Sequence, residues 1–353
     1  MKKALLITLY DNNYGNKLQN YALQEILKNQ SIESYTLKIE EEKDDLKYIL
    51  QNIIYKIIPS YVVSKWPKAY RRLKFACFSE KYLNTISIED FNKTNIKFNY
   101  AFFGSDQIWN LTFKTVRDNY FYFFGDIFDL NKIAVSPSIG VDFIPDEFQN
   151  SVRKSLENFV ALSVRENAGQ KALCKISNSL ISQVLIDPTL ATPSDKWYAL
   201  TQDRIESDSY VLTYFLGEVP KYVKIFINNN FKNHKLVNIA DISSPKNYGL
   251  DPFEFLNYIR YSDIVLTDSF HACIFSVIFK KNFLVTPRDG DGAGMGSRIN
   301  ELLKRYNLEK HMFFEGCNPL YRLDNYNHIS EIMEKDRKIF NEYLSKAINK
   351  CNS

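Results

Sequence analysis

Thr267-Asp268-Ser269-Phe270-His271 joins the apolar run Ile264–Thr267 to the apolar stretch Ala272–Phe279. The pattern predicts a strand running straight into a helix, with Ser269 as the helix cap. A helix start offers backbone N–H groups and the positive end of the helix dipole, which together attract anions. His271 falls in the first turn, where its imidazole can give or take a proton beside a bound phosphate. The plainer alternative is a capped helix with an exposed histidine. Asp268 is expected either to orient His271 or to cap the helix.

Four more segments carry groups of the same kind. Ser163-Val164-Arg165-Glu166 ends the apolar run Ala161–Val164. An arginine there can grip a carboxylate or phosphate with its planar fork, or simply pair with Glu166 or a neighbour. Arg288 and Arg298 bracket Asp289-Gly290-Asp291-Gly292-Ala293-Gly294-Met295-Gly296-Ser297, which holds four of the chain's 12 glycines. Such a run lets backbone approach or close over a ligand, or else is a surface loop. It lacks the Gly-Lys-Ser/Thr of a phosphate-binding loop. Gly104-Ser105-Asp106-Gln107-Ile108-Trp109-Asn110 offers a carboxylate, two amides and an indole, groups that bond and stack on sugars; the alternative is a polar turn with Trp109 in the core. Asp11-Asn12-Asn13-Tyr14-Gly15-Asn16-Lys17 is a further polar loop, with Asn13 and Asn16 as substrate-binding candidates.

Each of these segments follows a short apolar run. Ala4–Leu9, Tyr35–Ile39, Tyr100–Phe103, Ile133–Ser136, Ala161–Val164 and Val184–Ile186 read as strands. Helical stripes separate several of them, at 16–28, 146–158 and 167–176. The stretch 44–82 reads as irregular helix. After the polar, proline-bearing stretch 187–208 the pattern restarts with Tyr210–Phe215, Leu236–Ala240, Ile264–Thr267 and Phe283–Thr286. Asp251-Pro252-Phe253-Glu254 has the spacing of a capping box with proline in the first helical position. Residues 328–348 carry a helical apolar stripe. Strand–helix alternation of this kind predicts α/β architecture: two Rossmann-like, doubly wound domains facing a cleft. The expected division is 1–192, with a helical insertion at about 44–98, then 193–315, then a helical tail 316–353.

Composition excludes several function classes. A net charge of +4 over 353 residues is slight for a nucleic-acid binder. The five cysteines are dispersed with no paired Cys-x-x-Cys, which argues against a disulfide framework, a zinc site or a redox role. Ala4–Leu9 is too short for a secretory signal, and no apolar stretch is long enough to span a bilayer. A cytoplasmic protein is expected. The basic excess is local: residues 56–81 hold seven Lys and Arg against Glu80 alone, interleaved with aromatics. This reads as a solvated amphipathic face, or as peripheral contact with the inner membrane face.

Taken in order, Asn13-Tyr14-Gly15-Asn16-Lys17-Leu18-Gln19-Asn20-Tyr21-Ala22-Leu23-Gln24, Gly104–Asn110, Ser163–Glu166, Asp187-Pro188-Thr189 and Thr267–His271 closely resemble the polysaccharide pyruvyl transferase family. The resemblance spans roughly residues 4–305. It implies a GT-B-like fold, with a C-terminal helix packing back. It also implies phosphoenolpyruvate as donor substrate, no cofactor, and a sugar acceptor, free or lipid-linked, that leaves as a cyclic pyruvate ketal. By that resemblance His271 and Arg165 match the family's essential residues. Arg165 is then the main anion clamp, removable without loss of the fold, and Arg288 a further donor-binding residue, supported by Ser269, Asp268 and Arg298. Asp106, Gln107, Asn13 and Asn16 are left for the acceptor. Ala272 departs from the glycine common after the family's histidine. A nucleotide-sugar glycosyltransferase and a non-catalytic sugar- or nucleotide-binding protein are the competing readings.

Overall fold

The computed structural model describes residues 1–39, 46–288, 296–317, 319, 321–323 and 325–351. The chain forms two compact units. The first comprises Met1–Glu41, Tyr82–Thr192 and Ser330–Ser353, and the second Glu42–Lys81 and Pro193–Ile329.

The first unit is built on strands β1 (Lys2–Ile7), β2 (Ile32–Lys38), β3 (Thr85–Ser87), β4 (Tyr100–Phe103) and β5 (Asn131–Ala134). They lie in the order β3-β2-β1-β4-β5, every pair parallel. Strands β6 (Leu162–Val164) and β7 (Ser182–Val184) form a parallel pair, tied to β5 by the bridge between Ile133 and Ala161. Central strands of a sheet covered on both faces must be apolar throughout, and the last four residues of β1 and all of β4 are buried. β3 is a short edge strand inside the stretch read from sequence as a helical insertion. The C-terminal helix Tyr326–Lys350 sends Tyr343 Oη to Ala134 O at 2.7 Å and Arg337 Nε to Leu190 O at 2.9 Å. Phe340, Tyr343, Leu344 and Ala347 make its buried stripe.

The second unit contains β8 (Tyr210–Tyr214), β9 (Lys235–Asn238), β10 (Ile264–Thr267) and β11 (Asn282–Val285). Their order is β11-β10-β8-β9, again all parallel. β8 and β10 are wholly buried, whereas the edge strand β9 exposes Leu236. The helix Pro252–Tyr261 carries the predicted capping box: Asp251 accepts from Phe253 N and Glu254 N, and Glu254 accepts from Asp251 N at 2.7 Å.

The division differs from the sequence-based one in two places. The helices Leu46–Ile57, Pro59–Lys65 and Pro67–Tyr82 belong, up to Lys81, with the second unit. The reason is side-chain complementarity. Lys74 Nζ sits 2.9 Å from Glu254 and 3.4 Å from Asp251, clamping the capping box. Phe78 packs edge-on against Phe253 at 5.0 Å. Tyr70 lies over Gly249, where any Cβ would come within 2.2 Å of its ring. The second difference is the tail, which is not a separate piece: the unit boundary falls inside its helix, after Ile329.

Candidate active site

In each sheet the chain reverses its winding beside the first strand, between β1 and β4 in one unit and between β8 and β10 in the other. Ligands of doubly wound sheets bind at the carboxyl ends of the strands at such switch points. Both ends are polar here, and they differ in charge.

In the second unit the β8 and β10 ends are stitched together. Thr267 Oγ1 donates to Tyr214 O at 2.6 Å, and Leu216 N donates to Asp268 Oδ1 at 2.8 Å. Ser269 caps the helix Phe270–Ile278, its hydroxyl accepting from Ala272 N. His271 is therefore the second residue of the helix; it is buried, and its ring meets that of Phe270 edge-on. Asp268 has a different task from the two expected. Its Oδ1 is on Leu216 N, and its Oδ2 accepts from Arg288 Nε at 3.2 Å while its carbonyl accepts from Arg288 Nη2 at 3.1 Å. Asp268 thus fixes the direction of Arg288, which projects from the loop after β11. Arg298 lies 5.7 Å from the Phe270 ring centroid, beside the helix start. The glycine-rich residues 289–295 between the two arginines lie outside the described residues.

Sequence reasoning missed one contributor. Arg71, assigned above to a surface basic face, turns inward: Nη1 donates to Tyr248 O at 2.8 Å, and the guanidinium lies over the Phe75 and Tyr248 rings. It also hydrogen-bonds the Tyr214 hydroxyl. Burial pushes that phenol up to about 12, Arg71 and Arg288 pull it down, and Asp268 pushes it up. Arg71, Tyr214, Asp268 and Arg288 are consequently one electrostatic cluster. The signal that could have found it is the position of Arg71 one turn before Phe75 on a helix whose other face is apolar, but nothing local to Arg71 points to Tyr214.

The first unit presents an acidic, hydrogen-bonded network instead. Arg165 Nη1 meets Asp187 Oδ2 at 2.8 Å, with Glu166 at 3.9 Å and Asp106 at 4.0 Å. Its side chain is 3% exposed. Burial alone would weaken its hold on the proton; Asp187, Glu166 and Asp106 more than reverse that and keep it charged. This is a buried ion-pair hub, not the open fork expected of an anion clamp, because the strand end aims it inward at Asp187. Asp187 also accepts from Ser105 Oγ, Thr189 N and Thr189 Oγ1. Glu166 Oε1 takes three donors, Ser138 Oγ, Ile139 N and Gly140 N.

The loop after β4 is held just as firmly. Ser105 N donates to Gln19 Oε1, and Gln19 Nε2 donates to Thr8 Oγ1. Gln107 is buried and accepts from Asn110 Nδ2; both sit against Gly140, where a Cβ would fall 2.2 Å from Gln107 Oε1. Trp109 is core: fully buried, its Nε1 donates to Phe123 O and its ring stacks on Phe124. Asp106 is the partly exposed member of the loop, in the left-handed region at φ 63°. Asn16 Nδ2 reaches it at 3.4 Å and also bonds Leu9 O. Asn13 accepts from Gly15 N and caps the helix Tyr14–Asn29. Among the expected acceptor residues, Gln107, Asn13 and Asn16 thus all hold the loops; Gln107 and Asn16 are buried, and Asn13 and Asp106 are partly exposed.

Lys17 is a further buried side chain of this unit. It is 2% exposed, with Nζ 3.3 Å from the Tyr10 ring centroid. Burial lowers its ammonium to about 7; Asp11 opposes this and Lys38 adds to it. A lysine depressed in the folded state disfavours folding wherever the unfolded chain would be charged. That cost is full below about pH 7 and fades as pH rises toward the ordinary lysine value, so this residue makes stability rise with pH. Over pH 7 to 10 its contribution is on the order of 2 to 4 kcal/mol. Urea melts of Lys17→Met should show that rise flattened; an unchanged pH slope would show that Lys17 is not the titrating group.

Among the described residues no group of His, Cys, Asp and Glu could hold a metal ion. A search of curated proteins finds no match. Solved structures similar to the chain include a Staphylococcus aureus MnaA–UDP co-structure at 13% identity and TM-score 0.46, covering 97% of this chain and 90% of that one. Neisseria meningitidis UDP-GlcNAc 2-epimerase bound to UDP-GlcNAc is similar at 10% identity and TM-score 0.41, covering 100% and 94%. Medicago truncatula UGT71G1 complexed with UDP-glucose is similar at 10% identity and TM-score 0.45, covering 100% and 98%. The family model described as polysaccharide pyruvyl transferase matches residues 13–290, from the Asn13 cap through Arg288 and beyond, and the chain belongs to that family of transferases.

Proposed function

We propose that the chain transfers a pyruvyl group from phosphoenolpyruvate to two hydroxyls of a sugar in a polysaccharide precursor, releasing phosphate and leaving a cyclic ketal. The observation that carries this reading is the cationic switch point of the second unit. Arg288, aimed by Asp268, shares the ends of β8 and β10 with Arg71, a capped helix start and His271. Phosphoenolpyruvate carries a phosphate and a carboxylate a few ångströms apart. Two guanidiniums and a helix N-terminus match that charge pattern.

The reaction balances with one donor and one diol. The enol carbon–carbon double bond takes a proton at its methylene carbon, becoming a methyl group, while a sugar oxygen bonds to the neighbouring carbon. The carbon–oxygen bond to phosphate then breaks, and the second sugar oxygen closes the ring. Of the two hydroxyl protons, one balances that taken by the methylene and the other that accepted by phosphate. His271 is the group that moves protons at the donor. Arg288 holds the donor's anionic groups, and Asp268 positions Arg288 from beneath. In the first unit Arg165 is a positioning residue that holds the loop of Asp106.

Incubating the protein with phosphoenolpyruvate and a panel of free and lipid-linked sugars tests the proposal. It predicts phosphate release that depends on one acceptor, together with a pyruvylated sugar in the products. Release of nucleotide from a sugar nucleotide, with no phosphate from phosphoenolpyruvate, would replace it with the glycosyltransferase reading.

A further inference from the structure

The helix Leu46–Ile57 has two apolar faces, and only one is used. Ile54 and Tyr55 pack toward Val62 and Leu73, a small core completed by Trp66 and Tyr70. The opposite stripe stands in solvent: Ile49 is 43% exposed, Leu50 55%, Ile53 52% and Ile57 71%. Ile49, Ile53 and Ile57 recur every four residues, so they lie one above another on the helix surface. Ile58 and Tyr61 continue the exposed apolar surface past the helix end. Isolated exposed aliphatics are ordinary, but a contiguous stripe of them marks a surface that meets something apolar.

The charge around the stripe identifies the partner. Between Leu46 and Ser79 the sequence holds seven Lys and Arg and no Asp or Glu, and the acidic run Glu40-Glu41-Glu42-Lys43-Asp44-Asp45 precedes this stretch. Arg71 and Lys74 are turned inward, as described above. Lys47, Lys56, Lys65 and Lys68 are exposed. An aliphatic stripe flanked by lysines, with no acidic residue among them, is the make-up of a helix that lies in the plane of a membrane surface. Its apolar side chains sit at the acyl boundary and its ammonium groups meet anionic headgroups. No helix among the described residues is long and apolar enough to cross a membrane, so the contact is with one face of the bilayer.

We propose that the Leu46–Ile57 helix docks this protein onto an anionic lipid surface. The inference does not depend on the donor or the reaction proposed above. It places the contact mainly on 46–61, upstream of the centre of the basic stretch singled out from the sequence.

Co-sedimentation of the full-length protein with vesicles tests it. Binding to phosphatidylglycerol–phosphatidylcholine vesicles is expected, with at least tenfold weaker binding to phosphatidylcholine alone and a several-fold loss when salt rises from 0.1 to 0.5 M. Ile53→Glu/Ile57→Glu and, separately, Lys56→Glu/Lys65→Glu should each lower binding to the anionic vesicles at least tenfold. Because these side chains are exposed, circular dichroism and the melting temperature should not change. Ile53→Ser/Ile57→Ser repeats the first test without adding charge. Failure of the native protein to bind anionic vesicles overturns the proposal, as does equal binding by the Ile53 and Ile57 variants. Light scattering that shows a dimer lost in those variants assigns the stripe to a second copy instead.

Discussion

Arg165→Ala is expected to lower the stability of the first unit by about 3 to 5 kcal/mol, the usual cost of stripping one partner from a buried ion pair. The substitution leaves Asp187, Glu166 and Asp106 around the space of the lost guanidinium, with no cation among them. Asp187 keeps its bonds from Ser105 and Thr189, and Glu166 its three donors, so the unit should weaken without collapsing. Domains are typically stable by only about 5 to 15 kcal/mol, which makes a loss of this size plain in a urea melt. Arg165→Lys keeps the charge but not the planar fork, and should fall between the two. This differs from what the sequence resemblance alone implies, where Arg165 is an anion clamp removable without loss of the fold. If Arg165→Ala melts like the native protein yet no longer turns over, the clamp role returns.

His271→Gln is expected to cut turnover by roughly 10²- to 10⁴-fold, the range for losing a positioned proton donor or acceptor. Glutamine is the informative choice because the site is buried and alanine would leave a cavity. The amide keeps a polar group at the start of the helix but cannot exchange a proton at neutral pH. Ser269 still caps the helix and Asp268 still aims Arg288, so donor affinity should stay within about threefold of native. Phosphate release measured at saturating phosphoenolpyruvate separates the two effects. Turnover within tenfold of native would take the proton-transfer role from His271.

Much of the fold was legible because the buried strands of these sheets carry unbroken apolar runs, such as Tyr100–Phe103, Tyr210–Tyr214 and Ile264–Thr267. Helix caps are equally local signals: the Asp251 capping box and the Ser269 cap are each read within four residues. What stayed hidden depends on contacts remote in sequence. Arg165 and Asp187 are 22 residues apart, and Asp268 and Leu216 are 52 apart. No pattern near Arg71 announces Tyr248, 177 residues away. The same holds for the helices at 46–81, whose composition reads alike whichever core they join; Lys74, Phe78 and Tyr70 decide the matter through partners near residue 250. Edge strand β3 is three residues long and too short for a period to show.

The central claim is that the ends of β8 and β10, with Arg288 held by Asp268 beside the helix of His271, bind the donor dianion. Calorimetric titration of phosphoenolpyruvate into the native protein and Arg288→Met tests it most directly. A charged hydrogen-bond partner is worth about 1.5 to 3 kcal/mol, so the variant should bind roughly 10- to 100-fold more weakly. Native protein that does not bind phosphoenolpyruvate, or a variant that binds it equally well, would contradict the account.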